Sequence, residues 1–497
     1  MVVFAQASWQ GVCVREMLWL VILFVAGAMS SWGKPNIVFL LADDMGYGDL
    51  GCYGHPVIKS PNLDRLAEEG VRLTDCYSAS PNCSPARTAI LTGRHPYRVG
   101  MYDWARFEPL HIPESELTVA EVLRDAGYQT MFAGKWHCSG NFLKQPDPGD
   151  HGFEHWLAHP RNFGENPRGF YRNGHELPKL EGWMSEVVID EALMFLEKRD
   201  PSKPFLAMLW FSEPHTPVVA AEEFVAPYRG EAVRKQAASI QYGGSQVIRR
   251  PDEKKRATYY GCVSMMDYHI GRLLSALNAK GLKENTVVIF TSDNGPEHRP
   301  DSSFGTPGSL RGAKGHIHEG GYRVPGIVCW PGMITPGSLS SEPINGTDYL
   351  PSMAALAGAN PSWPNSIDGV NIFPALQGEA SVERLVPMMW WLFHARGAKE
   401  VSMRIGDYKM LANMLPQREI SIKDANPPRG VGIMDFVRKS DLGNFTMYNL
   451  ATDRKEQLEL SKTHPEKFKE MRKRMVALHR EIRNEGPIYE LGPRKKK

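Results

Sequence analysis

Three stretches of this chain are apolar without a break and then stop at polar groups. They are Ile37 to Ala42 before Asp43-Asp44, Phe205 to Phe211 before Ser212-Glu213-Pro214-His215, and Thr286 to Thr291 before Ser292-Asp293-Asn294-Gly295. A strand with one wet face alternates apolar and polar residues, whereas an unbroken, β-branched run is buried on both faces, as parallel strands under helices are. The expected fold is therefore α/β, a large and mainly parallel mixed sheet sandwiched by helices. A shorter run, Tyr128 to Ala133, leads into Gly134-Lys135-Trp136-His137. In open α/β sheets ligands bind beyond the carboxyl ends of the strands, so the polar groups that end these runs are candidates for one shared site.

Their chemistry is complementary. Adjacent carboxylates such as Asp43 and Asp44 repel unless a cation or an arginine holds them, and hard oxygen ligands suit Ca2+ or Mg2+. Asp293 and Asn294 add a carboxylate and an amide oxygen, although Asp-Asn-Gly alone is also an ordinary turn. In an extended segment Lys135 and His137 would point to the same side. His215 is confined between Pro214 and Pro217, and Lys314 comes from a glycine-rich stretch, Ser309 to Gly321, able to approach a ligand closely. Taken singly, each of these also reads as an exposed loop residue.

The segment from Cys83 to Arg94 gives them a centre. Pro85 in a first turn and Gly93 just past the end bracket a short helix with Cys83 near its N-cap, where backbone N–H groups and the dipole favour an anion. Arg87, four residues on, adds a permanent positive charge on the same face. Such a pocket suits a sulfate or phosphate ester. The plainer alternative is a buried structural thiol beside a helical arginine.

The spacing Cys83-x-Pro85-x-Arg87, followed by Leu91-Thr92-Gly93-Arg94, resembles the signature of the formylglycine-dependent (type I) sulfatases, arylsulfatase-like members of the alkaline phosphatase superfamily. The Gly-Lys-Trp-His segment at 134–137, Pro-His-Thr-Pro at 214–217 and Leu-Arg-Gly-x-Lys-Gly at 310–315 follow in the order those enzymes show, so the similarity extends from about Pro35 to Pro331. It implies an alkaline-phosphatase-like fold and a sulfuric ester hydrolase whose Cys83 is oxidised by a formylglycine-generating enzyme to 3-oxoalanine. It also implies one divalent ion, Ca2+ rather than Mg2+, bound by Asp43, Asp44, Asp293, Asn294 and the modified Cys83.

On that resemblance the hydrated aldehyde attacks sulfur, while Arg87, Lys135 and Lys314 neutralise sulfate oxygens or fix the hydrate. His215 then protonates the departing alcohol, and His137 takes a proton from the remaining hydroxyl so that sulfate is expelled. Lys135, His215, Lys314 and His318 would touch substrate, a sulfated small molecule or, as the first choice, a sulfated carbohydrate. His159, Arg161, His316, His394 and Arg396 are further rim candidates, and Trp390-Trp391 either stacks on a sugar or packs in a core. Two rivals are a phosphomonoesterase or phosphodiesterase on the same fold, and a carbohydrate-binding relic with unmodified Cys83.

The ends of the chain carry separate signals. Leu18 to Ala26 followed by Ala26-Gly27-Ala28 reads as a signal peptide over residues 1–30, hence a secreted or periplasmic enzyme, with an uncleaved anchor as the alternative. Arg15 is the lone basic residue before Met17, a poor leader start that fits a true start codon further along. A net charge of +2 gives no reason to expect nucleic-acid binding. The seven cysteines include no C-x-x-C pair, and no disulfide is assignable from them. A polar stretch, Gln377 to Ser381, divides a catalytic domain at 31–380 from a C-terminal α+β subdomain at 381–497. In that subdomain Val401–Ile405 and Tyr408–Leu411 read as antiparallel strands, Met447 to Asp453 as a closing strand and turn, and about Pro465 to Ile482 as an amphipathic helix.

Overall fold

The structure, a computed structural model, describes residues 33–105, 110–238, 240, 252–297, 304–393, 399–416 and 436–487. The expected leader at 1–30, together with His394 and Arg396, lies outside the described residues. Among the described residues no helix is long and apolar enough to cross a membrane.

Ten strands form the large sheet: β1 (Asn36–Asp43), β2 (Val71–Leu73), β3 (Gln129–Lys135), β4 (His155–His159), β5 (Tyr171–Arg172), β6 (His175–Glu176), β7 (Phe205–Pro214), β8 (Thr286–Ser292), β9 (Gly326–Cys329) and β10 (Ser338–Ser340). Their order across the sheet is β10-β2-β9-β8-β1-β7-β3-β4-β5-β6. β1 lies at the centre, parallel to both β7 and β8, and β3 runs parallel to β7 and β4. The antiparallel strands lie toward the two edges, where β9 pairs with β2 and β8, and β5 with β4 and β6. The sheet is thus mixed and mainly parallel.

Burial on both faces explains the unbroken apolar runs. Along β1, Ile37, Phe39 and Leu41 enter one hydrophobic cluster, and Val38, Leu40 and Ala42 enter the other on the opposite face. Each fully buried side chain of this size contributes roughly 1.5–3 kcal/mol, so any register slip of β1 would lose packing on both sides. Helices α1 (Cys83–Thr92), α2 (Met184–Lys198) and α3 (Glu253–Ala279) flank the sheet, α1 with the first cluster and the other two with the second.

A second sheet, antiparallel throughout, comprises β11 (Met388–Leu392), β12 (Glu400–Ile405), β13 (Tyr408–Pro416) and β14 (Ser440–Asn449). Helix α4 (Pro465–Glu485) joins it, burying Met471, Met475, Leu478 and Ile482 in the first cluster beside Val401, Met403 and Met410. The Trp390-Trp391 pair is core and offers no sugar platform. Trp390 is fully buried, stacked on Tyr322 at 4.4 Å with its indole N–H donating to the Ser78 carbonyl at 2.6 Å. Trp391 packs against Tyr97 and His479.

The two sheets are joined by charge as well as by apolar packing. Lys409 on β13 is fully buried, with Nζ 2.9 Å from Glu319 and 2.8 Å from Glu456, while Arg404 reaches Asp75 at 3.1 Å. Burial pushes Lys409 down, but the two carboxylates outweigh it and leave the ammonium well above its ordinary range. Replacing one member of such a cluster strands the others without compensation. Lys409→Met is therefore expected to destabilise the protein by about 3–5 kcal/mol, read as a lowered urea midpoint, whereas substitution of the exposed Lys235 should leave the midpoint in place.

Candidate active site

The carboxyl ends of β1 and β8 bring the acidic groups together. Asp43 is the last residue of β1, and Asp44 follows it in a left-handed conformation, φ 65°, which turns the chain over the sheet edge. The Asp44 N–H donates to Asp293 Oδ1 at 3.2 Å, and the Asp293 N–H returns to the Ala42 carbonyl at 3.0 Å, so the two acidic turns are laced to each other. Ser292 Oγ accepts the Met45 N–H and donates to the Asn294 carbonyl, both at 3.0 Å. Asp43, Asp44 and Asp293 are all at most 1% exposed.

Cys83 opens α1, and all ten residues of that helix are buried. Gly93 ends it at φ 65°, its N–H bonding to the Ala89 carbonyl, which is the bracket the sequence implies. The thiol points into the carboxylates, with Sγ 3.6 Å from Asp43 Oδ1 and 4.0 Å from Asp44 Oδ1. Burial, reinforced by Asp293, pushes the Cys83 thiol far above its ordinary range. The helix terminus favours a thiolate, but desolvation prevails, and a group held neutral is a poor thiol nucleophile.

One turn along α1, Arg87 fastens the acidic turns. Its Nε and Nη2 lie 2.9 and 2.8 Å from Asp293 Oδ2, and Nη1 donates to the Lys135 carbonyl at 2.7 Å. Nη2 is also 3.6 Å from Asp43, and the guanidinium sits over the Trp210 ring at 5.1 Å. Lys135, last in β3, pairs with Asp43 Oδ2. Gly134 before it is at φ 114°, and a Cβ there would fall 1.9 Å from the Trp210 carbonyl, so glycine alone lets β3 approach β7 where Lys135 must reach inward.

Lys314 arrives from the opposite side, its Nζ 2.6 and 2.8 Å from the two Asp44 oxygens. Its loop is seated by Lys314 N–H to the Pro296 carbonyl at 2.9 Å and Gly315 N–H to the Pro81 carbonyl at 3.0 Å. Burial pushes both carboxyls of the pair Asp43 and Asp44 up, but Lys135 pulls Asp43 and Lys314 pulls Asp44 back below the ordinary range. Lys314 moves correspondingly upward against its own desolvation.

His215 and His137 complete the surround. His215 Nε2 lies 3.5 Å from Asp44 Oδ2, and burial holds the ring below the ordinary histidine range even so. His137 is not in an extended segment: β3 ends at Lys135, and His137 adopts φ 54°. A turn thus presents it, buried and held well below its ordinary range by burial and then by the Lys135 and Arg87 charges, with Nδ1 unpartnered among the described residues. His318 stands apart from this cluster. It precedes a short helix, Glu319–Tyr322, and the charges acting on it are those of Lys409 and Arg311. His316 serves its own turn, Nδ1 accepting the Ala313 N–H at 3.1 Å.

Ligand atoms of Asp43, Asp44, Cys83 and His215 all lie within 4.8 Å of one another, a spacing able to hold a cation. Asn294 Nδ2 donates to Asp44 Oδ1 at 2.7 Å, and its buried amide oxygen has no partner among the described residues. An orphaned oxygen beside paired carboxylates fits a hard divalent ion. One contact was invisible in the motifs: Asn162 Nδ2 lies 2.5 Å from His215 Nδ1. Asn162 carries no spacing signal, since its place three residues past the end of β4 says nothing about which histidine it meets.

Residues 35–359 match the Sulfatase family. The chain belongs to that family. Human arylsulfatase A is 35% identical over 398 residues, covering 78% of this chain and 76% of that protein. Dog N-acetylgalactosamine-6-sulfatase is 33% identical over 416 residues, 77% of this chain and 72% of that one. Among solved structures, Ps i-CgsB in complex with k-i-k-neocarrahexaose superposes with a TM-score of 0.73 at 25% identity, covering 90% of this chain and 93% of that one. The sulfatase has the alkaline-phosphatase-like fold of its family and is a sulfuric ester hydrolase. A formylglycine nucleophile is general among these enzymes.

Arg87 provides the sharpest test of the geometry, because a lysine keeps the charge but cannot span Asp293, Asp43 and the Lys135 carbonyl at once. Arg87→Lys is expected to lower sulfate release roughly 10²- to 10³-fold with the near-UV circular dichroism retained, and near-parental turnover would contradict the arrangement.

Proposed function

We propose that the sulfatase hydrolyses a sulfate monoester on a carbohydrate, with Cys83 converted to formylglycine and one Ca2+ held by Asp43, Asp44, Asp293 and Asn294. The observation that carries this reading is the convergence of Asp43, Asp44, Cys83 and His215 within 4.8 Å, ringed by Arg87, Lys135 and Lys314. Beside the oxygens of Asp43, Asp44, Asp293 and Asn294 the thiol sulfur is the one soft atom, and an oxygen in its place would suit the same ion better. When present, the aldehyde hydrate supplies an oxygen nucleophile and the ion lowers its proton affinity.

The remaining chemistry belongs to the side chains. Lys135 pairs with Asp43 and Lys314 with Asp44, so two separate ammonium groups are available to hold two sulfate oxygens against rotation. Arg87 acts at one remove, fixing Asp293 and the end of β3. His215, whose proton affinity burial lowers, gains proton affinity beside an anionic ester, which suits it to protonate the leaving alcohol. His137, kept neutral by burial and by surrounding cations, is suited to accept the proton whose loss frees sulfate. The burial of these groups excludes water and strengthens each charge interaction. A sulfated carbohydrate is preferred to an aryl or steryl ester because the related solved structure holds an oligosaccharide and one curated relative is an N-acetylgalactosamine-6-sulfatase. Export through an N-terminal leader, and division near residue 380, accompany this reading.

The peptide containing Cys83, isolated from the native host, is expected to show the mass of the aldehyde in place of the thiol, and an intact thiol would refute the mechanism. Cys83→Ala should abolish sulfate release from an aryl sulfate, and the wild type should release sulfate faster than phosphate from the paired aryl esters. Calcium at a hundredfold excess over its Kd should stabilise the wild type by about 2.7 kcal/mol, seen as a rise in melting temperature, and should leave Asp44→Asn unmoved.

A further inference from the structure

The roles above leave one ordered part of the site's rim unexplained, the loop at 160–170 between β4 and β5. A single imidazole bonds it near its start and lies close to its end. His159 Nδ1 lies 2.7 Å from the Arg161 carbonyl and 3.0 Å from the Arg161 N–H. The other ring nitrogen abuts Gly169, where an added Cβ would come within 3.4 Å of it. The ring packs against Phe163 and Phe170, at 5.7 and 5.4 Å between centroids.

The loop is also pressed onto the His215 segment. Asn162 Nδ2 reaches the Thr216 carbonyl at 3.2 Å as well as His215, and the Phe163 N–H donates to Ser212 Oγ at 3.3 Å. A Cβ at Gly164 would meet the Pro217 ring at 3.2 Å. Arg161 therefore stands on a backbone held from both sides, one residue from the group that touches His215.

Arg161 is exposed, and among the described residues no carboxylate pairs with it. The loop's own acid, Glu165, accepts from Asn166 Nδ2 at 3.0 Å. Lys135 on β3 is the register partner of His159 on β4, and the Trp136 N–H donates to the His159 carbonyl at 2.9 Å, so Arg161 lies two residues beyond the strand position beside Lys135 and adds a positive charge next to the cluster. A guanidinium offers a planar fork of donors matched to sulfate or carboxylate oxygens, and one on a fixed backbone loses little freedom in binding.

We propose that Arg161 binds a second anionic group of the substrate, a sulfate or carboxylate on the sugar adjoining the cleaved ester, so that the enzyme selects polyanionic carbohydrate over a singly charged sulfate ester. The proposal rests on the sulfated-carbohydrate reading and narrows it. Three oligosaccharides of one backbone test it: one with a single sulfate, one with a second sulfate on the adjoining residue, and one with a single sulfate beside a uronate. The full-length wild type is expected to show a higher kcat/KM on a doubly charged oligosaccharide than on the singly charged one, and this selectivity should fall as salt is raised. Whichever doubly charged arm is favoured identifies the anion. Arg161→Gln should lower the selectivity ratio about tenfold, through KM, and flatten its salt dependence, with Arg161→Lys intermediate. A wild type without selectivity, or a ratio unchanged in a folded Arg161→Gln, overturns the proposal. The wild-type measurement decides even where the variant fails to fold. Absence of sulfate release from all three and from an aryl sulfate would instead overturn the enzyme reading on which it rests.

Discussion

Everything in this sulfatase's site depends on pairing three buried carboxylates with three buried cations. Asp43, Asp44 and Asp293 meet Arg87, Lys135 and Lys314 at distances that leave no room for water between most of them. Any one of these charges alone would be expensive to bury, and only the set as a whole is tolerable in an apolar sheet-end environment. The two signs are equal in number, so the cluster itself is close to neutral. An added divalent ion makes it positive and gives it a reason to draw in an anionic ester. The same constraint explains why the cations come from three different elements. Arg87 from α1, Lys135 from β3 and the Lys314 loop must close from separate directions around strand ends that are fixed by the sheet.

The sequence made the strand ends legible because each has a double signature, an unbroken apolar run and an abrupt polar stop. That pattern placed Asp43, Asp44, Asp293 and Asn294 together, and helix punctuation placed Cys83 and Arg87 on one short helix. Local reasoning failed where backbone conformation departs from the element beside it. Gly-Lys-Trp-His reads as an extended segment, but a φ of 54° turns His137 instead, and nothing in those four residues announces a left-handed histidine. His318 shares a glycine-rich stretch with Lys314, yet it sits at the N-cap of the short helix Glu319–Tyr322, where the Lys409 and Arg311 charges act on it. Trp390-Trp391 was ambiguous because a paired aromatic in a strand reads alike whether one face is wet or both are buried.

Contacts between distant segments were illegible for a different reason. Glu319 and Glu456 are 137 residues apart and share Lys409 from a third segment. No periodicity or spacing encodes a three-body charge cluster of that kind. It matters to function through Glu319, which opens the short helix just after the Lys314 loop, so the second sheet helps hold the end of the loop that delivers a site cation. Gly295 and Gly320 mark how close that loop comes to the Asp293 turn, since a Cβ at Gly295 would lie 2.0 Å from the Gly320 carbonyl.

The loop at 160–170 shows how selectivity can be added to such a site without disturbing it. The charge cluster is buried and balanced, so a substitution inside it changes several interactions at once. A residue at the rim has no such coupling. Arg161 is exposed while the backbone beneath it is fixed by His159 and by the His215 segment, which separates the freedom of its side chain from the rigidity of the chemistry below. Evolutionary change at that one position could alter which neighbouring charges a substrate must carry and leave the placement of Lys135, His215 and Lys314 intact. On the proposed roles, the core of the site specifies that a sulfate ester is cleaved, and the loop is the element left to specify which.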